Sequence, residues 1–120
     1  MSIQSPKDLL VWQKAMDLVV ETYKITRKLP KDEVFALSSQ MRRAVVSIPS
    51  NIAEGFQRNS TKEFIQFVSV AMGSNDELET QLYICSRLSY ATEEQIKPVV
   101  NLSNEVGRML VALKKKLEEK

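Results

Sequence analysis

The fold is decided by residues 37–64, which read LSSQMRRAVVSIPSNIAEGFQRNSTKEF. Apolar residues recur in this segment at helical spacing, namely Leu37, Met41, Ala44, Ile48 and Ile52. Polar residues form the adjacent row of the same helix, namely Gln40, Arg43, Ser47, Asn51 and Glu54. A polar row directly beside an apolar stripe borders a helix–helix contact, whereas an ordinary amphipathic helix turns its polar residues to solvent. The segment therefore predicts a helix packed inside a bundle.

Pro49 lies in the middle of this predicted helix. A proline in a helix interior lacks the backbone N–H, leaves the carbonyl of Val45 without its usual partner and costs about 3 kcal/mol. A broken helix and a continuous, bent helix are both open. The apolar spacing keeps its phase from Ala44 through Ile48 to Ile52, which favours a helix bent at Pro49.

The first helix is predicted over residues 6–29, with Ser5 as N-cap and Pro6 at the first helical position. Pro30 ends it, because the residue before a proline avoids helical dihedral angles. Its core face is predicted from apolar residues three and four apart, namely Leu9, Trp12, Met16, Val19 and Tyr23. Asp32 is the candidate N-cap of the second helix, predicted over residues 32–56.

The third and fourth helices have the clearest starts. Ser60 and Glu63 form a capping box, which begins a helix predicted over residues 60–90. Its apolar arc exceeds half of the circumference, and since a surface helix needs only about 100°, neighbours are expected all round. Thr92 caps a helix predicted over residues 93–118. Short turns between four helices predict one all-α domain over residues 1–120, an antiparallel up-down-up-down four-helix bundle.

Composition excludes most catalytic and metal chemistry. The 120 residues include no histidine, a single cysteine (Cys85) and three glycines. Without histidine there is no Glu-x-x-His di-metal centre and no base for a Cys–His or Ser–His–Asp nucleophile. One cysteine does not form a zinc site, and no glycine-rich phosphate loop is present. We therefore expect no cofactor, no metal, no catalytic residue and no enzyme activity.

The cellular compartment is predicted from the lack of a signal-peptide pattern and of a membrane-spanning segment, and from the cysteine count. The N-terminal stretch MSIQSPKDLLVW has no basic region followed by an apolar one, as a signal peptide would. No apolar run approaches the roughly 18 residues of a membrane span. A lone cysteine fits a reducing compartment. We expect a cytoplasmic protein without a membrane partner.

Basic residues are the candidates for nucleic-acid contact, although 17 basic against 15 acidic residues leave a net charge of only +2. Guanidinium and ammonium groups contact phosphates, and repetition in an oligomer strengthens their field. The candidates are Arg42, Arg58, Lys62, Lys114, Lys115 and Lys116. Arg43 has two readings, a phosphate contact or an ion-pair network near Ser74 and Glu77. Arg42 projects to the other side of the helix and is expected to be freer.

A set of polar residues is expected to stabilise the bundle. Asn75 lies near the centre of the third helix's apolar stripe, where a buried amide needs a hydrogen-bond partner. Glu54 is expected to accept a hydrogen bond between helices. The predicted structural network comprises Gln40, Arg43, Ser47, Asn51, Glu54, Asn75 and Glu77.

Three short motifs resemble a known family. They are QMRRA at residues 40–44, SIPSNIAEG at residues 47–55, and Gly73-Ser74 followed by ELE at residues 77–79. The chain resembles, over nearly its whole length, the bacterial four-helix-bundle proteins encoded in intervening sequences of large-subunit ribosomal RNA genes. These have also been labelled a ribosomal-protein-like family. The accessory protein of diversity-generating retroelements belongs to the same wider group.

The resemblance implies ring-like homopentamers and, through the retroelement protein, binding to nucleic acid and to a reverse transcriptase. Self-association is also predicted by apolar residues off the main stripes, namely Val11, Val20, Ile25, Phe35 and Val46. Two functions stay open. One is a non-enzymatic homo-oligomeric module associated with RNA or DNA through backbone electrostatics. The other is a protein-interaction scaffold with nucleic-acid contact secondary.

Overall fold

The computed structural model describes residues 3–119 and contains four α-helices. They are α1 (Leu10–Thr26), α2 (Leu37–Phe56), α3 (Thr61–Arg87) and α4 (Glu93–Glu118). Each helix packs against the next in sequence, and α1 also packs against α4, which closes the bundle. The predicted all-α, antiparallel four-helix bundle is confirmed. In residues 3–119 we find no helix with the length and apolarity needed to cross a bilayer.

α2 is one continuous helix with Pro49 inside it. The apolar stripe predicted for this helix faces the core, with Leu37 partly buried and the other four residues buried, and Pro49 is also buried. The helix is therefore not broken at the proline, and the bend there stays a prediction.

The first helix differs from its prediction in length and in its buried face. Ser5 caps a short 3-10 turn at Pro6–Asp8, Leu9 is extended, and α1 then begins at Leu10. The residues of α1 that are buried in the core are Val11, Ala15, Leu18, Thr22, Ile25 and Thr26. The predicted stripe is only half-buried, and its Met16 is exposed. Because α1 packs on both α2 and α4, the face between those helices is buried. That face was not predicted from the sequence, because Ala15 is small and Thr22 is polar.

Two other helix ends also differ from the sequence prediction. Asp32 lies in a second 3-10 turn, Lys31–Glu33, and α2 begins only at Leu37, whose N–H donates to Glu33 Oε1 at 3.3 Å. α3 ends at Arg87 because Ser89 adopts a left-handed conformation with φ of 62°. The N–H of Tyr90 then donates to the carbonyl of Cys85 at 2.9 Å, which is the terminal bond of a Schellman motif.

α2 and α3 approach closely next to the turn that joins them. A Cβ atom on Gly55 would lie 2.8 Å from Phe64 Cδ1 and 2.8 Å from Phe67 Cβ, both on α3. A Cβ on Gly73, which lies within α3, would meet no atom within 4 Å. Gly55 therefore permits the packing distance of these two helices, whereas Gly73 is replaceable.

Gly55→Ala is expected to destabilise the protein by about 1–3 kcal/mol, because the added methyl group forces Phe64 and the backbone of α3 to move. Gly73→Ala is the matched control and should stabilise it by about 0.5–1 kcal/mol through lower backbone entropy. Urea unfolding of both variants measures the difference. Equal stabilities would contradict the close approach at Gly55.

At the end of the bundle opposite the turn between α2 and α3, Tyr90 Oη donates a hydrogen bond to Glu33 Oε2 at 2.7 Å. It joins the turn before α4 to the 3-10 turn before α2. This bond raises the pKa of Tyr90 to about 12, and desolvation and the negative charge of Glu33 act in the same direction.

The Tyr90 bond makes stability depend on pH in the alkaline range. Since the folded state holds the phenol protonated, its contribution is fully present below about pH 10 and is lost as the pH rises towards 12. Tyr90→Phe lacks the bond and should be less stable than the wild type at neutral pH. We expect this difference in unfolding free energy to shrink above about pH 10, measured by chemical denaturation across a pH series. A difference that stays constant with pH would show that the bond does not govern it.

Candidate functional site

A polar recess of ≈ 560 Å³ lies between α2 and α3. It is lined by Gln40, Arg43, Ala44, Ser47, Ser74 and Glu77. Gln40, Arg43 and Ser47 come from the polar row of α2, and Ala44 comes from its apolar stripe. Ser74 and Glu77 come from the Gly73–Ser74 and ELE motifs of α3. Antiparallel packing thus brings together, in one recess, parts of the motifs that resemble the family.

The floor of the recess is a pair of hydroxyl groups. Ser47 Oγ and Ser74 Oγ lie 2.8 Å apart, and Asn51 Nδ2 donates to Ser47 Oγ at 2.8 Å and to the Ser47 carbonyl at 2.7 Å. All three side chains are half-buried. Either hydroxyl can donate in the bond between Ser47 and Ser74, because a hydroxyl oxygen that accepts from Asn51 can accept a second bond or donate its own proton. The floor is therefore a hydrogen-bonded chain that joins the two helices.

The rim of the recess carries opposite charges that are not paired with each other. Gln40, Arg43 and Glu77 are all exposed. In residues 3–119, Arg43 takes part in no salt bridge, and neither Arg43 nor Gln40 makes a side-chain hydrogen bond. Among residues 3–119, the side chain of Glu77 accepts one hydrogen bond, from Gln81 Nε2 at 3.4 Å. A guanidinium and a carboxylate thus face the same opening with their bonding capacity largely unused.

Arg42, rather than Arg43, is the arginine held by the bundle. Its Nε donates to Thr26 Oγ1 at 3.0 Å, and its guanidinium lies over the ring of Tyr23, 4.6 Å from the centroid. Both partners are on α1. The expectation that Arg42 is the freer of the two is therefore wrong, because the side of α2 to which it projects is covered by α1.

Glu54 also differs from its prediction. It accepts from Arg58 Nη2 at 2.8 Å, one turn further along the chain, and makes no bond to another helix within the described residues. Arg58 in addition lies over the ring of Phe67, 4.8 Å from the centroid. An exposed ion pair of this kind stabilises by only about 0–1 kcal/mol. Arg58 can therefore exchange Glu54 for another anion at little cost.

Most of the basic candidates meet at one end of the bundle. Arg58 and Lys62 flank the turn between α2 and α3, and residues 114–116 form the last turns of α4, which the antiparallel topology brings to that same end. Of these five, only Lys114 is half-buried and the others are exposed. In the described part of the chain the lysines form no salt bridge. Acidic residues occur at this end too, so the excess positive charge of one protomer is small.

In the core, Asn75 of α3 and Ser103 of α4 exchange two hydrogen bonds. Asn75 Nδ2 donates to the Ser103 carbonyl at 3.0 Å, and Ser103 Oγ donates to Asn75 Oδ1 at 2.9 Å. Both residues are buried. The sequence pattern marked Asn75 as needing a partner but did not identify Ser103, although a serine on the apolar seam of α4 was the available signal.

Ser103→Ala is expected to lower the free energy of unfolding by about 1–3 kcal/mol, since it leaves a buried amide oxygen without a donor. The added substitution Asn75→Leu removes the unpaired amide oxygen. The double variant should therefore lose less free energy of unfolding than the two single variants lose together. Urea denaturation of the wild type, both single variants and the double variant completes this double-mutant cycle. Strictly additive losses would show that the two side chains are not coupled.

The remaining reactive group is the thiol of Cys85. It is buried beside Met41, with Sγ 3.5 Å from the methionine sulfur. Burial raises the pKa of this thiol to about 11, and the negative charge of Glu33 adds to the effect. The thiol is therefore protonated at neutral pH and a poor nucleophile. Within residues 3–119 no cluster of three or more acidic or cysteine side chains is arranged to hold a metal ion.

These features define a class of protein: an antiparallel four-helix bundle with a polar recess between its second and third helices. The family model described as 23S rRNA-intervening sequence protein matches residues 7–112, and the chain belongs to this family. A crystal structure from Bacteroides thetaiotaomicron VPI-5482, described as a protein with unknown function from the S23 ribosomal protein family, is similar in fold. It is 29% identical, with a TM-score of 0.82 over 88% of this chain and 96% of that chain. No curated protein matches the chain.

Proposed function

We propose that this protein is a non-enzymatic, homo-oligomeric helix-bundle module of the cytoplasm that associates with RNA or DNA through the phosphate backbone. The observation that supports this function is the meeting of two basic clusters, distant in sequence, at one end of the bundle. The contact surface consists of Arg58, Lys62, Lys114, Lys115 and Lys116. Arg42 contributes less, because Thr26 and Tyr23 already engage its guanidinium.

The basic side chains at this end support contact with the phosphate backbone of a nucleic acid rather than recognition of its bases. Within residues 3–119 the four lysines form no salt bridge, and Arg58 pairs with the exposed Glu54 and lies over the ring of Phe67. Phosphate contacts position a protein on nucleic acid without reading its sequence. The ring of Phe67 is half-buried and lies beneath the Arg58 guanidinium, so it offers little surface for stacking a base.

Self-association is supported by two apolar recesses on different sides of the bundle. One lies between α1 and α2 and includes Trp12, Met16 and Val46, and the other lies between α3 and α4 and includes Met72 and Val111. Two unlike apolar faces suit a head-to-tail contact, which closes into a ring when the rotation allows. Such repetition would multiply the small basic excess of each protomer.

The apolar residues predicted for self-association separate into two groups. Phe35 is 96% exposed, and Val20 and Val46 are also exposed, so these three are available for a contact between copies. Val11 and Ile25 are buried in the core, and the expectation that they lie at an interface is wrong. The proposal of a ring-like homopentamer rests on the resemblance to the family.

Reversing charge at the basic end tests the nucleic-acid proposal. The double variant Arg58→Glu with Lys62→Glu should weaken binding to a single-stranded RNA by about tenfold or more at low salt, and should flatten the slope of log affinity against log salt concentration. The melting temperature should change little, because both side chains are exposed. Fluorescence anisotropy across a salt series measures the affinity.

The control is Lys31→Glu with Lys97→Glu, which reverses two exposed charges at the opposite end of the bundle. It changes net charge by the same amount and should leave RNA affinity nearly unchanged. Absence of binding by the wild type at low salt, or an equal loss in both double variants, would refute the proposal.

A protein-interaction scaffold, for example one that docks a reverse transcriptase, is the second candidate. It is favoured by the small excess of positive charge at the basic end and by the mixed charges of the polar recess, which do not match a polyanion. Recovery of a stoichiometric protein partner from cells, together with RNA affinity that does not depend on salt, would favour this function over the first.

A further inference from the structure

We propose that the polar recess between α2 and α3 binds a small zwitterion, a free α-amino acid. The ligand carboxylate pairs with Arg43 and its ammonium group pairs with Glu77. This site is separate from the basic end, and the proposal does not depend on nucleic-acid association.

The charges of the rim select this ligand chemistry. Arg43 and Glu77 line one recess but form no salt bridge with each other. A simple anion attracted to Arg43 is repelled by Glu77, and a simple cation attracted to Glu77 is repelled by Arg43. A ligand that carries both a positive and a negative charge can pair with both side chains, since they line the same recess. The α-carboxylate and α-ammonium groups of an amino acid carry these two charges.

The lining excludes other common ligands. It contains no aromatic residue on which a nucleobase could stack, and Glu77 opposes a phosphate group. Ala44 is its only apolar member, so a lipid tail or an aromatic ring would bury little apolar surface there. The volume of ≈ 560 Å³ lies within the range of small-molecule sites. A polar ligand of modest size is what remains.

Several groups of the recess are already held in place. Asn51 orients Ser47, and Ser47 bonds to Ser74, so the hydroxyl floor is fixed from one side. Gln81 donates to Glu77, and its side chain is buried, with Oε1 lacking a partner in the described residues. Gln40 lies on the rim with its amide unused, which makes it the group to contact the side chain of the bound amino acid. Such preorganisation lowers the entropic cost of binding.

The test uses the full-length, isotope-labelled protein and a panel of the twenty free L-amino acids, followed by NMR chemical shifts. At least one amino acid should shift the backbone resonances of residues 40–47 and 74–77 in a saturable manner at millimolar concentration. The best binder is then compared with its N-acetyl form, which lacks the cation, and its amide form, which lacks the anion. Each blocked form should bind at least about tenfold more weakly, since one charge pair is lost.

Arg43→Gln and Glu77→Gln should each weaken binding of the same amino acid by about tenfold or more with the melting temperature unchanged, because both residues are exposed. The matched controls Arg27→Gln and Glu94→Gln remove the same charges from exposed positions outside the recess and should leave binding intact.

Three results would overturn the proposal: no saturable shift with any amino acid, equal binding of the blocked forms, or shifts confined to other parts of the bundle. Loss of self-association in Arg43→Gln and Glu77→Gln, without amino-acid binding by the wild type, would assign the recess to contact between copies instead.

Discussion

The close antiparallel packing of α2 against α3 is the constraint on which the rest of the structure depends. It is set at the turn by Gly55, where the absence of a side chain lets α3 approach through Phe64 and Phe67. From that point the two helices run alongside each other, and Ser47 meets Ser74 across the contact. A wider separation would leave these hydroxyls without each other and would open the polar recess to a flat surface. The packing distance therefore determines both core stability and site geometry.

The main effect of the polar groups inside this bundle is to set the register between neighbouring helices, and their contribution to stability is secondary. The reciprocal bonds of Asn75 and Ser103 set the register of α3 against α4, and the bond of Arg42 to Thr26 does the same for α2 against α1. A shift by one turn would leave the buried Asn75, Ser103 and Thr26 without their partners, which costs more than the bonds themselves contribute. Apolar contacts, which are not directional, do not make this distinction.

Much of the fold was predictable because apolar residues recur at helical spacing in α2, α3 and α4, although those of α3 cover more than half of its circumference. The stripe of α2 and the capping box at Ser60 gave the right buried face and the right helix start. α1 was misjudged because it carries two stripes, and the one through Ala15 and Thr22 looks too small and polar to be a core face. The polar row of α2 was visible, but the different fates of Arg42 and Arg43 were not. Those depend on whether α1 or open recess lies next to each side chain.

The sequence by itself determined the class of fold and the helix count, because periodicity, caps and composition are local properties of the chain. Only the tertiary structure decided which face of α1 is buried, which arginine is left unpaired, and that residues some thirty positions apart form one recess. These are properties of the spaces between helices. They arise from which helix packs beside which, and a one-dimensional pattern does not record that arrangement.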